Sequence, residues 1–212
     1  FAQSFSMSPE TEKALHDLDV AIENKKEYQE RLSERIDSIK NVLDKCRKDE
    51  YVDNCKQLFN LSFHYSGRAS LNALQNILNT PEAKQDTDLR VGAQLHMASV
   101  YSVMGLYGVV IRMLRNIEEK DISDTNKQIY YHTIYNNHVR LATYESNILS
   151  RADDGTDSVR LALLDSLIAY QTDPVSKAAY KGEKALLQGE PDKAIAIMTP
   201  SLGKSTGLIK LR

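Results

Sequence analysis

The 212-residue sequence contains no tryptophan, only two cysteines, five prolines and nine glycines, and its net charge of −2 favours neither sign. Two cysteines alone make a poor zinc site. Without a basic excess there is no electrostatic reason to expect a nucleic-acid partner. The scarcity of proline and glycine, beside abundant Leu, Ala, Lys, Glu and Gln, favours helix throughout. No stretch alternates strictly between apolar and polar residues inside turn signals, so strands are not expected. No initiator methionine stands at the start. The sequence opens Phe1-Ala2-Gln3-Ser4-Phe5-Ser6, which suits the tail of a removed export signal.

Long uncharged runs are also scarce. The one from Val91 to Ile111 is 21 residues, long enough to cross a bilayer. Gln94, His96, Ser99 and Ser102 dilute it, and Gly105 with Tyr107 reads as a turn. A buried helix hairpin is the expectation. Cys46 and Cys55 are nine apart, which on one helix puts them on opposite faces. A disulfide between them requires a break near Lys48 to Asp53 and an oxidising compartment; the pair is carried as a disulfide candidate.

What the chain does have is helical patterning. Ser8, Pro9, Glu10 and Glu12 form a helix start. Leu15, Leu18, Ile22, Leu32, Ile36, Ile39, Leu43 and Cys46 then recur in steps of three and four, with Lys25 and Gln29 interrupting. This fits either an amphipathic helix lying against its own domain or a dimerising coiled coil. Residues 1–50 are therefore read as a tail and long helix, and residues 51–212 as a helical-repeat domain. Within the second part, helices are expected at 53–65, 69–78, 87–104, 107–118, 124–150, 157–170, 174–188 and 191–202. Thr80-Pro81, Gly105, Asp153-Asp154-Gly155, Asp173-Pro174, Gly189-Glu190-Pro191 and Thr199-Pro200 punctuate them.

Two of these helix pairs share a pattern. Ala98, Tyr101, Gly105, Tyr107, Val110, Leu114 and Ile117 sit at the offsets of a tetratricopeptide repeat. Gly182, Gly189, Ala194, Ile195 and Met198 repeat much of it, with Pro191 in place of the turn aromatic. Small residues at a crossing let two helices approach to about 8 Å, and each pair leaves an apolar face for the next pair to cover. Gly105 and Gly189 are 84 residues apart, room for a degenerate pair at 130–144 and 159–170. An earlier pair occupies 58–78. The expected fold is an all-α, tetratricopeptide-like solenoid of about four helix pairs behind a long N-terminal helix.

Catalytic and metal patterns are missing. Gly203-Lys204-Ser205-Thr206 lacks the leading glycine of a phosphate loop, since Met198 stands there. His132 and His138 are six apart, a spacing that does not put two ligands on one helical face. Asp153 to Asp157 lacks the bidentate Glu of a calcium loop, Leu163 occupying its place. No nucleophile has a visible partner. The chain is thus expected to be no enzyme and to need no cofactor.

The segment order resembles a known arrangement. Leu18-Asp19, Ile22, Lys25 and Tyr28 lead into Arg35-Ile36-Asp37-Ser38-Ile39-Lys40, then divergent repeat pairs and Leu164-Asp165-Ser166-Leu167. This is similar to the N-terminal, signal-receiving region of an uncharacterised family of bacterial membrane-anchored regulators. The resemblance implies an exported helical-repeat domain followed, beyond this sequence, by a transmembrane helix, a coiled coil and a cytoplasmic output region. The expected role is therefore non-catalytic protein interaction or sensing, extracytoplasmic and tethered to the membrane only through flanking segments. The alternative is a cytoplasmic scaffold or adaptor that homodimerises through residues 10–46.

Such solenoids bind a protein or peptide on the face lined by the first helix of each pair. Repeat offsets place His96 and Ser99 there in one pair, and Tyr180 and Glu183 in the last. The Tyr-rich stretch from Tyr130 to His138 adds Tyr131, Tyr135 and His138, because tyrosine is amphipathic and low in rotamer entropy. These tyrosines fit a helix seam as well as a binding site.

Overall fold

The computed structural model describes residues 8–149 and 156–201, and it is helical throughout, with no strand among them. Its helices are α1 (Pro9–Glu23), α2 (Lys25–Leu43), α3 (Lys48–Ser62), α4 (Gly67–Leu78), α5 (Pro81–Gln85) and α6 (Thr87–Val103), followed by α7 (Tyr107–Arg115), α8 (Asp124–Leu149), α9 (Thr156–Tyr170), α10 (Pro174–Leu187) and α11 (Pro191–Met198). The first residues, the Asp153–Gly155 turn and the Gly203–Thr206 segment lie outside the described residues.

Local chemistry starts the helices. Ser8, Ser66, Thr80, Asp86 and Asp173 each accept a hydrogen bond from the backbone N–H three residues on, satisfying a donor that the helix leaves orphaned. Gly105 and Gly189 stop two of them, at φ 80° and 75°. In both, the residue after the glycine reaches back five residues: Leu106 N–H to the Tyr101 carbonyl at 2.9 Å and Glu190 N–H to the Ala185 carbonyl at 2.9 Å. Two different repeats thus close on the same left-handed cap.

The pairs are α3 with α4, α6 with α7, α8 with α9 and α10 with α11, each packed against its successor, and α6 also lies along α8. Ala98 on α6 and Val110 on α7 are fully buried. On α10, an added Cβ at Gly182 would fall 2.5 Å from the Met198 Cγ and Sδ of α11, so the absent side chain is what admits Met198. The segment from Val91 onward is the expected hairpin, turning at Gly105. Among the described residues no helix is long and apolar enough to cross a membrane.

Four local readings change. The long N-terminal helix is interrupted at Asn24, whose Nδ2 donates to the Val20 carbonyl at 2.9 Å, a side chain competing with the backbone ladder. Beyond the interruption, α2 joins the first core: Ile36 is buried with Leu58, Phe59, Leu74 and Met97. Helix α3 starts at Lys48, five residues earlier than its hydrophobic pattern implied. Thr80-Pro81 does not simply end α4; it caps and opens α5. And α7 stops at Arg115, where i→i+3 bonds at Asn116 and Ile117 tighten the chain before a 3₁₀ turn at Glu119–Asp121.

Candidate partner-binding surface

The first helices of successive pairs, α3, α6 and α8, together with Leu74 and Ile77 of α4, line a cavity of about 400 Å³. Phe59 and Asn60 of α3 form one wall, Leu89, Gly92 and His96 of α6 the other, and Asn126 of α8 closes one end. Residues 89, 92 and 96 share a helical face by their spacing of three and four. The Phe59 and His96 rings meet at 4.8 Å between centroids. Burial lowers the His96 pKa from its ordinary 6.5, so the imidazole is neutral at neutral pH.

The end wall is held by hydrogen bonds. Asn126 Nδ2 donates to the Asp88 carboxylate at 2.7 Å and to the Asp88 carbonyl at 3.0 Å, and Ser123 Oγ also donates to Asp88. A Cβ at position 92 would lie 3.0 Å from Asn126 Oδ1, so glycine is what lets α8 come this close. The result is a groove of mixed aromatic, amide and aliphatic character, with Lys56, Asp86 and Asp88 as its charged side chains.

A second cluster joins α8, α9 and α10. Tyr135 is only 4% exposed, packed with Leu164 and Leu167, and its hydroxyl donates to Glu183 Oε1. Arg160 reaches the same oxygen at 3.5 Å and Asp157 at 3.3 Å. Burial first, and the Glu183 carboxylate second, push the Tyr135 phenol up. Around this core Tyr131 stacks on Tyr170 with centroids 5.5 Å apart, and Tyr180 meets His132 edge-on at 6.4 Å.

Of the residues chosen from sequence, Tyr131, Tyr135, Tyr180 and Glu183 come together in this second cluster, with Tyr135 turned inward as a seam residue. His96 lines the groove; Ser99, one turn further, is buried. His138 is half-buried, and its Nε2 has no hydrogen-bond partner among the described residues. Cys46 and Cys55 are both free thiols. The break expected between Lys48 and Asp53 falls at Asp44–Arg47 instead, so Cys46 sits in the turn itself and Cys55 is fully buried in α3.

Sequence reading missed Asn60, Asp88, Asn126 and Arg160. Asp88 and Asn126 are 38 residues apart, about one repeat, so equivalent positions at the starts of successive first helices were the available signal. Arg160 carried none, because its role depends on Tyr135 and Glu183 arriving from two other helices.

Compared with known proteins, residues 22–207 match the family described as the SusR N-terminal TPR domain. No curated protein and no solved structure matches the chain.

Proposed function

The chain belongs to the family of SusR N-terminal TPR domains, and from that premise we propose that it is a non-catalytic sensory and protein-interaction domain, the extracytoplasmic part of a membrane-anchored bacterial transcriptional regulator. The observation that carries the reading is the groove between α3, α6 and α8, built mainly from the first helices of successive pairs over a floor of Leu74 and Ile77 from α4. Its side chains suit an extended polypeptide: Asn60 offers a donor and an acceptor to a peptide backbone, and Phe59 and His96 offer ring faces. Asp88, the carboxylate best placed to act on a ligand, is already committed to Asn126 and Ser123, which favours recognition over catalysis.

A photo-crosslinking side chain at Asn60 of the full-length protein captures a partner polypeptide, whereas one at Arg112, exposed on α7, does not. Equal labelling from both positions removes the groove from the proposal. Placement outside the cytoplasm is tested separately. Alkaline phosphatase inserted behind Ser201 in the full-length gene is active if the domain is exported; an inactive fusion with intact protein levels sinks that part.

A second reading, self-association through the N-terminal helices, is favoured by one observation. Helix α1 buries no residue, although it carries Leu15, Leu18 and Ile22 on one line.

A further inference from the structure

Leu15, Leu18 and Ile22 of α1 are 43%, 52% and 59% exposed. Their line continues along α2 as Leu32, Ile36, Ile39 and Leu43, where the first core covers it. The two helices form nearly one rod, since Asn24 N–H still bonds the Val20 carbonyl and Tyr28 N–H the Asn24 carbonyl, both at 3.1 Å. Cover stops where α3 ends. There, Leu61 and Tyr65 face Leu18, Ile22, Tyr28 and Leu32 across an open, mainly apolar cavity of about 410 Å³.

The charges around this cavity indicate what fills it. Its lining includes Lys25 and His64 and no carboxylate. Helix α1 carries Glu10, Glu12, Asp17, Asp19 and Glu23 against Lys13 alone. The start of α2 carries Lys25, Lys26 and Arg31 against Glu27 and Glu30, a small basic excess, so acidic α1 is complementary to it, while α1 against α1 is not.

We propose that the cavity receives α1 of a second copy of this chain, in an antiparallel two-fold pairing centred between Glu23 and Asn24. This rests on the reading of α1 as a self-association surface and adds its partner, direction and register. The seven-residue spacing pairs Ile22 with the partner's Lys25, Leu18 with the partner's Gln29 and Leu15 with the partner's Leu32. At 15 residues, α1 is about 22 Å long at 1.5 Å per residue, enough to cover that stretch. Two-fold symmetry repeats every contact on the other copy. Each α1 lays its carboxylates beside the partner's Lys25, whose alkyl stem covers the apolar line while its ammonium group stays in water. Parallel pairing instead stacks acidic α1 on acidic α1, placing Asp17 and Asp19 near their own counterparts.

Sedimentation equilibrium of the whole chain tests association, and cysteine cross-linking in a Cys46→Ser background tests direction. The expected species is a dimer that Leu18→Glu converts to a monomer with the helical content of the parent and a melting temperature that no longer varies with protein concentration, since α1 buries no residue within its own chain. Lys25→Glu weakens it by about tenfold, the effect of losing roughly 1.4 kcal/mol of charge pairing. Leu18→Cys and Gln29→Cys form a disulfide only when the two variants are mixed. A chain that stays monomeric at all concentrations overturns self-association itself and leaves the apolar line to another partner. A dimer indifferent to Leu18→Glu overturns the surface. Self-cross-linking of Leu18→Cys alone overturns the antiparallel register while leaving dimerisation standing.

Discussion

Asn126 reaches across 38 residues to hold both the carboxylate and the backbone carbonyl of Asp88, so that the first turn of α8 is tied to the first turn of α6. The two helices therefore run in the same direction from a shared start, and the groove beside them inherits a rigid end.

Breaking that tie loosens the repeat stack. Asn126→Ala is expected to cost about 1–2 kcal/mol, because the buried Asn126 amide gives up two hydrogen bonds to the exposed Asp88, one of them to its carboxylate. Urea denaturation followed by circular dichroism measures it, and a midpoint equal to that of the parent chain removes the tie from the account of stability.

The two left-handed glycines make a cleaner comparison. An added Cβ meets nothing within 4 Å at Gly105 or Gly189, so alanine there changes backbone energy alone. Each substitution should destabilise by about 1–2 kcal/mol, and the two effects should add, given their separation. A neutral Gly105→Ala contradicts the cap geometry.

Alkaline pH probes Tyr135. Its folded pKa is raised above the ordinary phenol value of 10.0, chiefly by burial and then by Glu183. The unfolded chain therefore loses this proton first, and the contribution is complete below pH 10 and declines as pH rises above it. Thermal melts from pH 8.5 to 11 should show a steeper fall for the parent than for Tyr135→Phe. Parallel curves for the two proteins place the titration elsewhere.

His96 acts at the other end of the scale. Burial lowers its folded pKa below 6.5, so the unfolded chain takes up the proton first on acidification. Stability is whole above pH 6.5 and falls below it. His96→Phe should flatten the melting temperature between pH 7 and 5.5; an unchanged slope assigns the acid sensitivity to another group, for which His132, also lowered by burial, is the next variant.

The cysteines should separate by reactivity. Under reducing conditions a thiol reagent reaches Cys46 in its turn within the native state. Cys55, fully buried and with its thiol pushed up to about 11 by desolvation, should react only on unfolding. Two fast thiols rule out the packing of α3 described above.

Much of this fold is legible without coordinates. The capping Ser8, the Asp173-Pro174 helix start, the turn glycines 105 and 189, and the small residues at 98, 182 and 194 act through φ angles and hydrogen bonds within a few positions, or through helix crossings that recur with the repeat. The sequence alone therefore determined the helix pairs and the all-α solenoid, while the break at Asn24, the short α5 and several helix ends came only from the structure. Only the tertiary structure decided which polar side chains face which neighbour. Tyr135 turns inward to Glu183, 48 residues away, while Asn126 closes the groove and His96 lines it. Those outcomes depend on how each helix is rotated about its axis, and that rotation is set by the summed packing of surrounding pairs, a quantity no local stretch of residues contains.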